Sequence, residues 1–211
     1  MAVTKLMHIK EQKGNPSAGL KKCIRYIMDP QKSEGGTWTS SNCGDTPQEC
    51  YEEMIKTKQE FRKTDGRQGY HFVLSFPPGE TDELTVFNVA KEFCETYLGE
   101  EYEYCFAVHN DHAHLHAHIV FNSVSRADGK KYHYANGDWK TLIQPVTDAA
   151  AEEYGLPPLT YEDDHTVGVE YDEWLDQKKG SEMIWRKPPR SFIQVFPSDA
   201  AHSDCRGCFF P

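Results

Sequence analysis

Five of the ten histidines in this 211-residue chain fall within ten positions, in HNDHAHLHAH, at 109, 112, 114, 116 and 118. On a β-strand alternate residues share a face, so His114, His116 and His118 point one way and Leu115, Ala117 and Ile119 the other. Two imidazoles two residues apart on one strand face can reach the same cation. His109, at the end of the preceding segment, is placed to add a third from a paired strand. Three neutral imidazoles with coordination positions left over describe a metal centre open to substrate rather than a closed structural one. Such a set accepts Mn, Zn, Ni or Co, and Mg less readily. Asp111 can hold the far ring nitrogen of a ligating histidine and so fix its tautomer. A His-rich tract can also bind metal adventitiously, but here it runs into IVFNSV, a buried-strand sequence that a flexible tract would lack. The alternation does not decide which three of the five histidines ligate.

The elements around this cluster are legible from period and punctuation. Residues 2–9 alternate loosely as a first strand, and a helix from about Ser17 to Met28 ends at Asp29-Pro30. GTWTSSNC reads as an edge strand, and Thr46-Pro47 opens a helix running to about Lys63. YHFVLSF, residues 70–76, has the aromatic and β-branched density of a buried strand, closed by Pro77-Pro78-Gly79. Residues 82–98 carry apolar side chains at three-to-four spacing and predict an amphipathic helix stopped by Gly99. Residues 102–109 and 115–124 predict two strands of an antiparallel hairpin. A short strand at Lys131–Tyr134 and a helix from Asp138 to Tyr154 follow. Strands interleaved with helices, one hairpin among them, predict an α/β or α+β sandwich around a mainly antiparallel sheet. No internal repeat is visible, and from Pro157 onward the periodicity degrades. The expected division is a folded domain over 1–159 and a poorly ordered appendage over 160–211.

Composition limits the options. No stretch approaches the eighteen or so apolar residues of a spanning helix, and MAVTKLMHIK lacks the apolar run of a secretory signal, so a cytoplasmic protein is expected. Seven cysteines scattered mostly singly do not make a disulfide framework and predict free thiols. The net charge of −10 argues against a nucleic-acid partner, but it hides a gradient. Residues 1–70 carry twelve basic and nine acidic side chains, whereas residues 71–120 carry one basic and nine acidic. A polyanion would therefore lie along the first third of the chain.

H-N-D-x-x-H-x-H-x-H followed by I-V-F-N resembles the third motif of relaxases of the mobilization-nuclease type, members of the HUH endonuclease superfamily that nick plasmid and conjugative-element DNA. The motif's first His, its acid, its later His-hydrophobic-His pair and its closing Asn fall on His109, Asp111, His116, His118 and Asn122. A second acid common in the family is replaced by Ala113. CIRYIMDPQKSEGG is similar to the first family motif and carries the role of nucleophile to Tyr26, one of eleven tyrosines. RQGYHFVLSFPPGE, KKYHY and DWKTLIQPV are also family-like. The resemblance covers roughly residues 1–160, and nothing after Trp185 is family-like.

The resemblance implies an α/β (α+β) fold with a central, mainly antiparallel five-stranded sheet flanked by helices. It implies a divalent cation (Mn, Mg or Zn) on His109, His116 and His118, with Asp111 and Asn122 supporting them. Tyr26 would attack a phosphodiester of single-stranded DNA at an origin of transfer, leaving a 5′-phosphotyrosine and a free 3′-hydroxyl. His112 or His114 could relay the proton. Accessory mobilization proteins are possible partners. Candidate phosphate contacts are Lys21, Lys22, Arg25, Arg62, Lys63, Arg67, Arg126, Lys130 and Lys131, with Lys56 and Lys58 beside them, and Trp38 and Trp139 are candidate stacking surfaces. Two other readings compete. The chain could be an inactive or accessory remnant that binds single-stranded DNA, with a truncated or frame-shifted tail in which Cys205 and Cys208 are half of a zinc knuckle. It could instead be a metal-dependent nuclease using activated water, which leaves no protein–DNA adduct.

Overall fold

A computed structural model of the chain describes residues 2–110, 114–135 and 137–159. The expected appendage over 160–211, with Trp185, Cys205 and Cys208, lies outside the described residues.

Among the described residues the strands and α-helices follow in the order β1 (Val3–Ile9), α1 (Ala18–Ile27), β2 (Thr39–Ser41), α2 (Pro47–Glu60), β3 (Gly69–Ser75), α3 (Glu83–Phe93), β4 (Tyr104–His109), β5 (His116–Asn122) and α4 (Gln144–Glu153). The five strands form one sheet in the order β1-β3-β5-β4-β2, every neighbouring pair antiparallel. The expected hairpin is β4–β5. The strand expected at Lys131–Tyr134 is reduced to a single bridge between Val124 and Lys131. Its chain turns instead into the core, where Tyr132 packs against Tyr70, Phe121 and Tyr102. Two expected helices also differ in detail. Residues 94–98 and 139–143 are π-helical turns, one continuing α3 and the other leading into α4. The helix begun at Thr46 stops at Glu60, not Lys63.

Strand alternation sorts the core into two layers. Tyr70, Phe72, Leu74, Phe106, Val108, Ala117, Ile119 and Phe121 face α3 and α4. On the opposite face Ile9, Cys105 and Val120 pack against Leu20, Cys23, Ile24 and Ile27 of α1 and Cys50 and Met54 of α2. α1 is amphipathic for this purpose: Leu20, Cys23, Ile24 and Ile27 recur at three-to-four spacing and are fully buried, while Lys22 and Arg25 are exposed. Burying a large apolar side chain contributes about 1.5–3 kcal/mol, so this stripe anchors the helix far more firmly than its propensity could. α2 starts on a capping box in which Thr46 and Glu49 satisfy each other's backbone N–H. Gly69 is required by close approach, since a Cβ there would lie 2.9 Å from the Phe121 carbonyl oxygen and 3.0 Å from a Leu20 methyl. The outer edge of β1 is covered by α4, whose Gln144 accepts from Thr4 N–H and donates to the Ala2 carbonyl. Cys23, Cys43, Cys50, Cys94 and Cys105 are free thiols, as expected.

Candidate active site

The face beneath α1 and α2 carries two polar clusters at opposite ends of the strands. At one end His109 of β4 lies directly opposite His116 of β5, and Ser75 of β3 completes the row. His118, two residues further along β5, points to the same side. The His109 and His118 ring centroids are 4.5 Å apart, and those of His116 and His118 are 6.1 Å apart. His114, just ahead of β5, lies 4.2 Å from His116 ring to ring.

Tyr26, in the last turn of α1, is set on this group because Cys23, Ile24 and Ile27 bury their own side of the helix and turn the phenol ring to the histidine end. Its ring meets those of His109 and His118 edge-on at 5.6 and 6.2 Å. The Lys32 ammonium lies 5.2 Å from the same ring's centroid. The fold thus brings Tyr26, the tyrosine that the first motif marked, to the histidines.

Two histidines are oriented by hydrogen bonds whose partners the sequence did not announce. His109 Nε2 lies 2.8 Å from the carbonyl oxygen of Ile27, and because a carbonyl only accepts, Nε2 carries the proton. His118 Nδ1 lies 2.9 Å from Nε2 of His71, a fully enclosed residue of β3 whose Nδ1 is 3.6 Å from Cys23 Sγ. Burial holds the His71 imidazole down to about 3, so it is neutral near pH 7. Only its place beside Tyr70 in a buried strand hinted at such a role. Lys5 was also missed. It shares a register row and a face with Val73 and His118, and burial lowers its ammonium to about 8.

Among the described residues no three His, Cys, Asp or Glu side chains stand in a finished metal-ligand arrangement. The donor chemistry nevertheless fits one. Rings sharing a cation at N–metal distances of about 2.1 Å have centroids roughly 5 Å apart, a value the two measured spacings bracket. The protein engages Nε2 of His109 and Nδ1 of His118, so a cation held by these rings would be met by their opposite nitrogens. Asp111 and His112 lie outside the described residues.

Asn122 does not reach this site, which corrects the expectation that it supports the ligands. It shares the face of His116, but six residues on, roughly 20 Å along the strand. There it knits the second cluster, accepting from Lys58 and donating to Glu103 Oε2 at 2.9 Å and to the Met54 carbonyl at 3.1 Å, while Thr57 donates to the other oxygen of Glu103. Burial lowers the Lys58 ammonium to about 7 against the opposing pull of Glu103. Lys58 is therefore an internal strut and not a phosphate contact, as the side chain has no exposure at all.

The basic residues divide the same way. Lys21, Lys22 and Arg25 stand on α1 beside Tyr26, with Lys21 over the Tyr51 ring and the other two exposed. Arg62, Lys63 and Arg67 precede β3, and Arg126, Lys130 and Lys131 follow β5, both at the Asn122 end. Several are engaged there: Arg126 with Glu100 and the Asn42 carbonyl, Lys130 with Asp128 at 2.6 Å, Lys131 with Asp65, and Arg67 with the Tyr70 hydroxyl at 3.0 Å. Lys56 pairs with Glu53 at 3.1 Å. Trp38 and Trp139 are partly buried against the α3–α4 core and donate to Glu34 and to the Thr4 carbonyl.

The sequence profile of the MobA/VirD2-like relaxase nuclease domain matches residues 26–156, and the chain belongs to that family. Curated relatives agree. The chain is 26% identical over 202 residues to the protein rlx of Staphylococcus aureus, a match covering 95% of this chain and 57% of that one. It is 25% identical over 139 residues to the group II intron-interrupted relaxase LtrB of Lactococcus lactis subsp. cremoris, covering 64% and 22%. The chain thus spans about a fifth to somewhat over half of the length of these relatives. Among solved structures, the fold is similar to the MobM relaxase domain, described as bound to plasmid pMV158 oriT DNA and Mn, with a TM-score of 0.53 and 14% identity over 83% of this chain and 98% of that one. No helix among the described residues is long and apolar enough to cross a membrane.

Proposed function

We propose that residues 1–159 are the nicking domain of a relaxase, cutting one strand of DNA at an origin of transfer through Tyr26. The observation that carries this reading is the edge-on approach of the Tyr26 ring to His109 and His118. Family membership and the oriT DNA bound to the MobM domain support DNA as the substrate, and the Mn in that complex supports a divalent cation here.

In this reading His109, His116 and His118 hold the cation, which when bound polarises the scissile phosphate as a Lewis acid. Tyr26 Oη attacks phosphorus, forming a bond to the 5′-phosphate as the bond to the 3′-oxygen breaks. The energy of the phosphodiester is kept in the phosphotyrosine, so the same site can rejoin ends. A phenol of pKa about 10 must lose its proton in this step, and the Lys32 ammonium stands 5.2 Å from the centroid of its ring. Lys22 and Arg25, exposed on the helix that carries Tyr26, are suited to adjacent phosphates and orient the strand. The net charge of −10 opposes DNA approach everywhere else, so binding should weaken steeply with salt.

The test is incubation with Mn²⁺ and labelled single-stranded oligonucleotides from the adjoining origin region, run on a denaturing gel beside Tyr26→Phe and His116→Ala. A labelled band travelling with the protein and absent from both variants is expected. Cleavage surviving Tyr26→Phe would assign the attack to water or another residue, and intact binding without cleavage would mean a strand-holding remnant.

A further inference from the structure

We propose that Cys23 and His71 are positioning residues that hold His118 in its ligating tautomer, Cys23 sulfur accepting from His71 Nδ1–H and His71 Nε2 from His118 Nδ1–H, so that Nε2 of His118 faces the cation. The inference rests on the metal-site reading above and deepens it. The groups form one buried chain from helix to site: Cys23 Sγ is 3.6 Å from His71 Nδ1, and His71 Nε2 is 2.9 Å from His118 Nδ1. A neutral imidazole has one N–H and one lone pair, so the protons along this chain must all point the same way. If the Cys23 thiol donates to His71 Nδ1, His71 Nε2–H donates to His118 Nδ1, and His118 carries its proton on Nε2, where it cannot ligate. If Cys23 sulfur accepts from His71 Nδ1–H, His71 Nε2 accepts from His118 Nδ1–H, and Nε2 of His118 presents its lone pair. Only the second arrangement is compatible with ligation. A thiol sulfur is a weak donor and a weak acceptor, so Cys23 permits it without imposing a buried charge.

The consequence reaches the nucleophile. Cys23 stands three residues before Tyr26 on α1, and the Ile27 carbonyl one residue after Tyr26 orients His109. Two of the three proposed ligands are therefore set by the helix that carries the attacking phenol. A shift of α1 would disturb tyrosine and ligands together, which keeps their separation fixed through a reaction that makes and breaks a covalent bond at Tyr26.

The test uses the full chain. Long-range ¹H–¹⁵N spectra of the histidines in metal-free protein should show His118 with its proton on Nδ1, and Cys23→Ala should mix the tautomers. Mn²⁺ affinity, read by titration calorimetry or electron paramagnetic resonance, should fall by about 10–100-fold in His71→Leu, the range for loss of such partners. Cys23→Ala should fall in the same direction by less. His71→Gln, whose amide oxygen can accept from His118 Nδ1–H without help from Cys23, should keep affinity, and adding Cys23→Ala to it should change nothing further. Wild-type protein that binds Mn²⁺ while Cys23→Ala and His71→Leu bind it as tightly overturns the proposal and leaves the nuclease reading standing. If wild type binds no Mn²⁺, the nuclease reading fails instead, and a His118 proton found on Nε2 overturns the tautomer assignment on its own. Should His71→Leu not fold, the spectra and Cys23→Ala still decide.

Discussion

The two ends of the sheet face under α1 and α2 put similar polar material to opposite uses. At the Asn122 end, Asn122 accepts from Lys58 and donates to Glu103 and to the Met54 carbonyl, Thr57 donates to Glu103, and all four side chains are buried. At the histidine end the protein engages one nitrogen of His109 and one of His118 and leaves the phenol of Tyr26 half-buried beside them. A network closed on itself stabilises, because every buried polar group has its partner. Histidine rings held by such bonds are oriented, and a row of oriented rings can take a ligand.

The contrast can be broken from either end. Tyr26→Phe should lower strand cleavage by more than about 10³-fold, the scale on which loss of a covalent nucleophile acts, with no change in the urea midpoint; a gel assay and a denaturation curve check both halves. Asn122→Ala should do the reverse. It strips partners from a buried lysine and a buried carboxylate, which costs about 3 kcal/mol in urea unfolding, while the folded protein cleaves at the wild-type rate. If instead Asn122→Ala abolished activity at full stability, the division of the face would be wrong.

The Lys58 site also has a pH signature. Burial lowers its folded pKa to about 7, below the ordinary lysine value that the unfolded chain retains. Between pH 7 and 9 the unfolded state holds a proton that the folded state has released, so this group makes stability rise with pH in that window. Below about pH 7 both states are protonated and the contribution is flat. Lys58→Met should remove a rise of at most about 1.4 kcal/mol per pH unit, read as the difference between wild-type and variant urea midpoints. The smallest effect concerns DNA. Lys22→Ala with Arg25→Ala should weaken oligonucleotide binding and lower the salt slope by about one for each phosphate no longer neutralised. The pair Lys130→Ala and Lys131→Ala, at the far end, should leave the slope nearly unchanged, and fluorescence anisotropy across a salt series separates them.

Local signals were enough for most of the framework. Thr46-Pro47 marked the start of α2, Gly99 stopped the helical run after α3, and the HLHAHI alternation assigned both faces at the start of β5, because caps, breakers and period two are properties of neighbouring residues. They were too little at Lys131–Tyr134, where an aromatic segment with strand composition was drawn into the core by Tyr70 and Phe121 instead of into the sheet. Asn122 shows the same limit at the site. The resemblance grouped it with the ligands, and it does share their face of β5, but a motif position says nothing about which end of the sheet the chemistry occupies.

What the sequence determined by itself is therefore the inventory: a histidine strand with period two, a tyrosine on an amphipathic helix, and a basic first third in an acidic chain. Only the tertiary structure decided the partnerships. It set Tyr26 against His109 and His118, turned His71 and Cys23 into supports for His118, and consigned Lys58 and Asn122 to a closed network. The reason is that these pairings join residues tens of positions apart, and such pairs are fixed by strand register and by the packing of α1 and α2 on the sheet, neither of which a local pattern encodes.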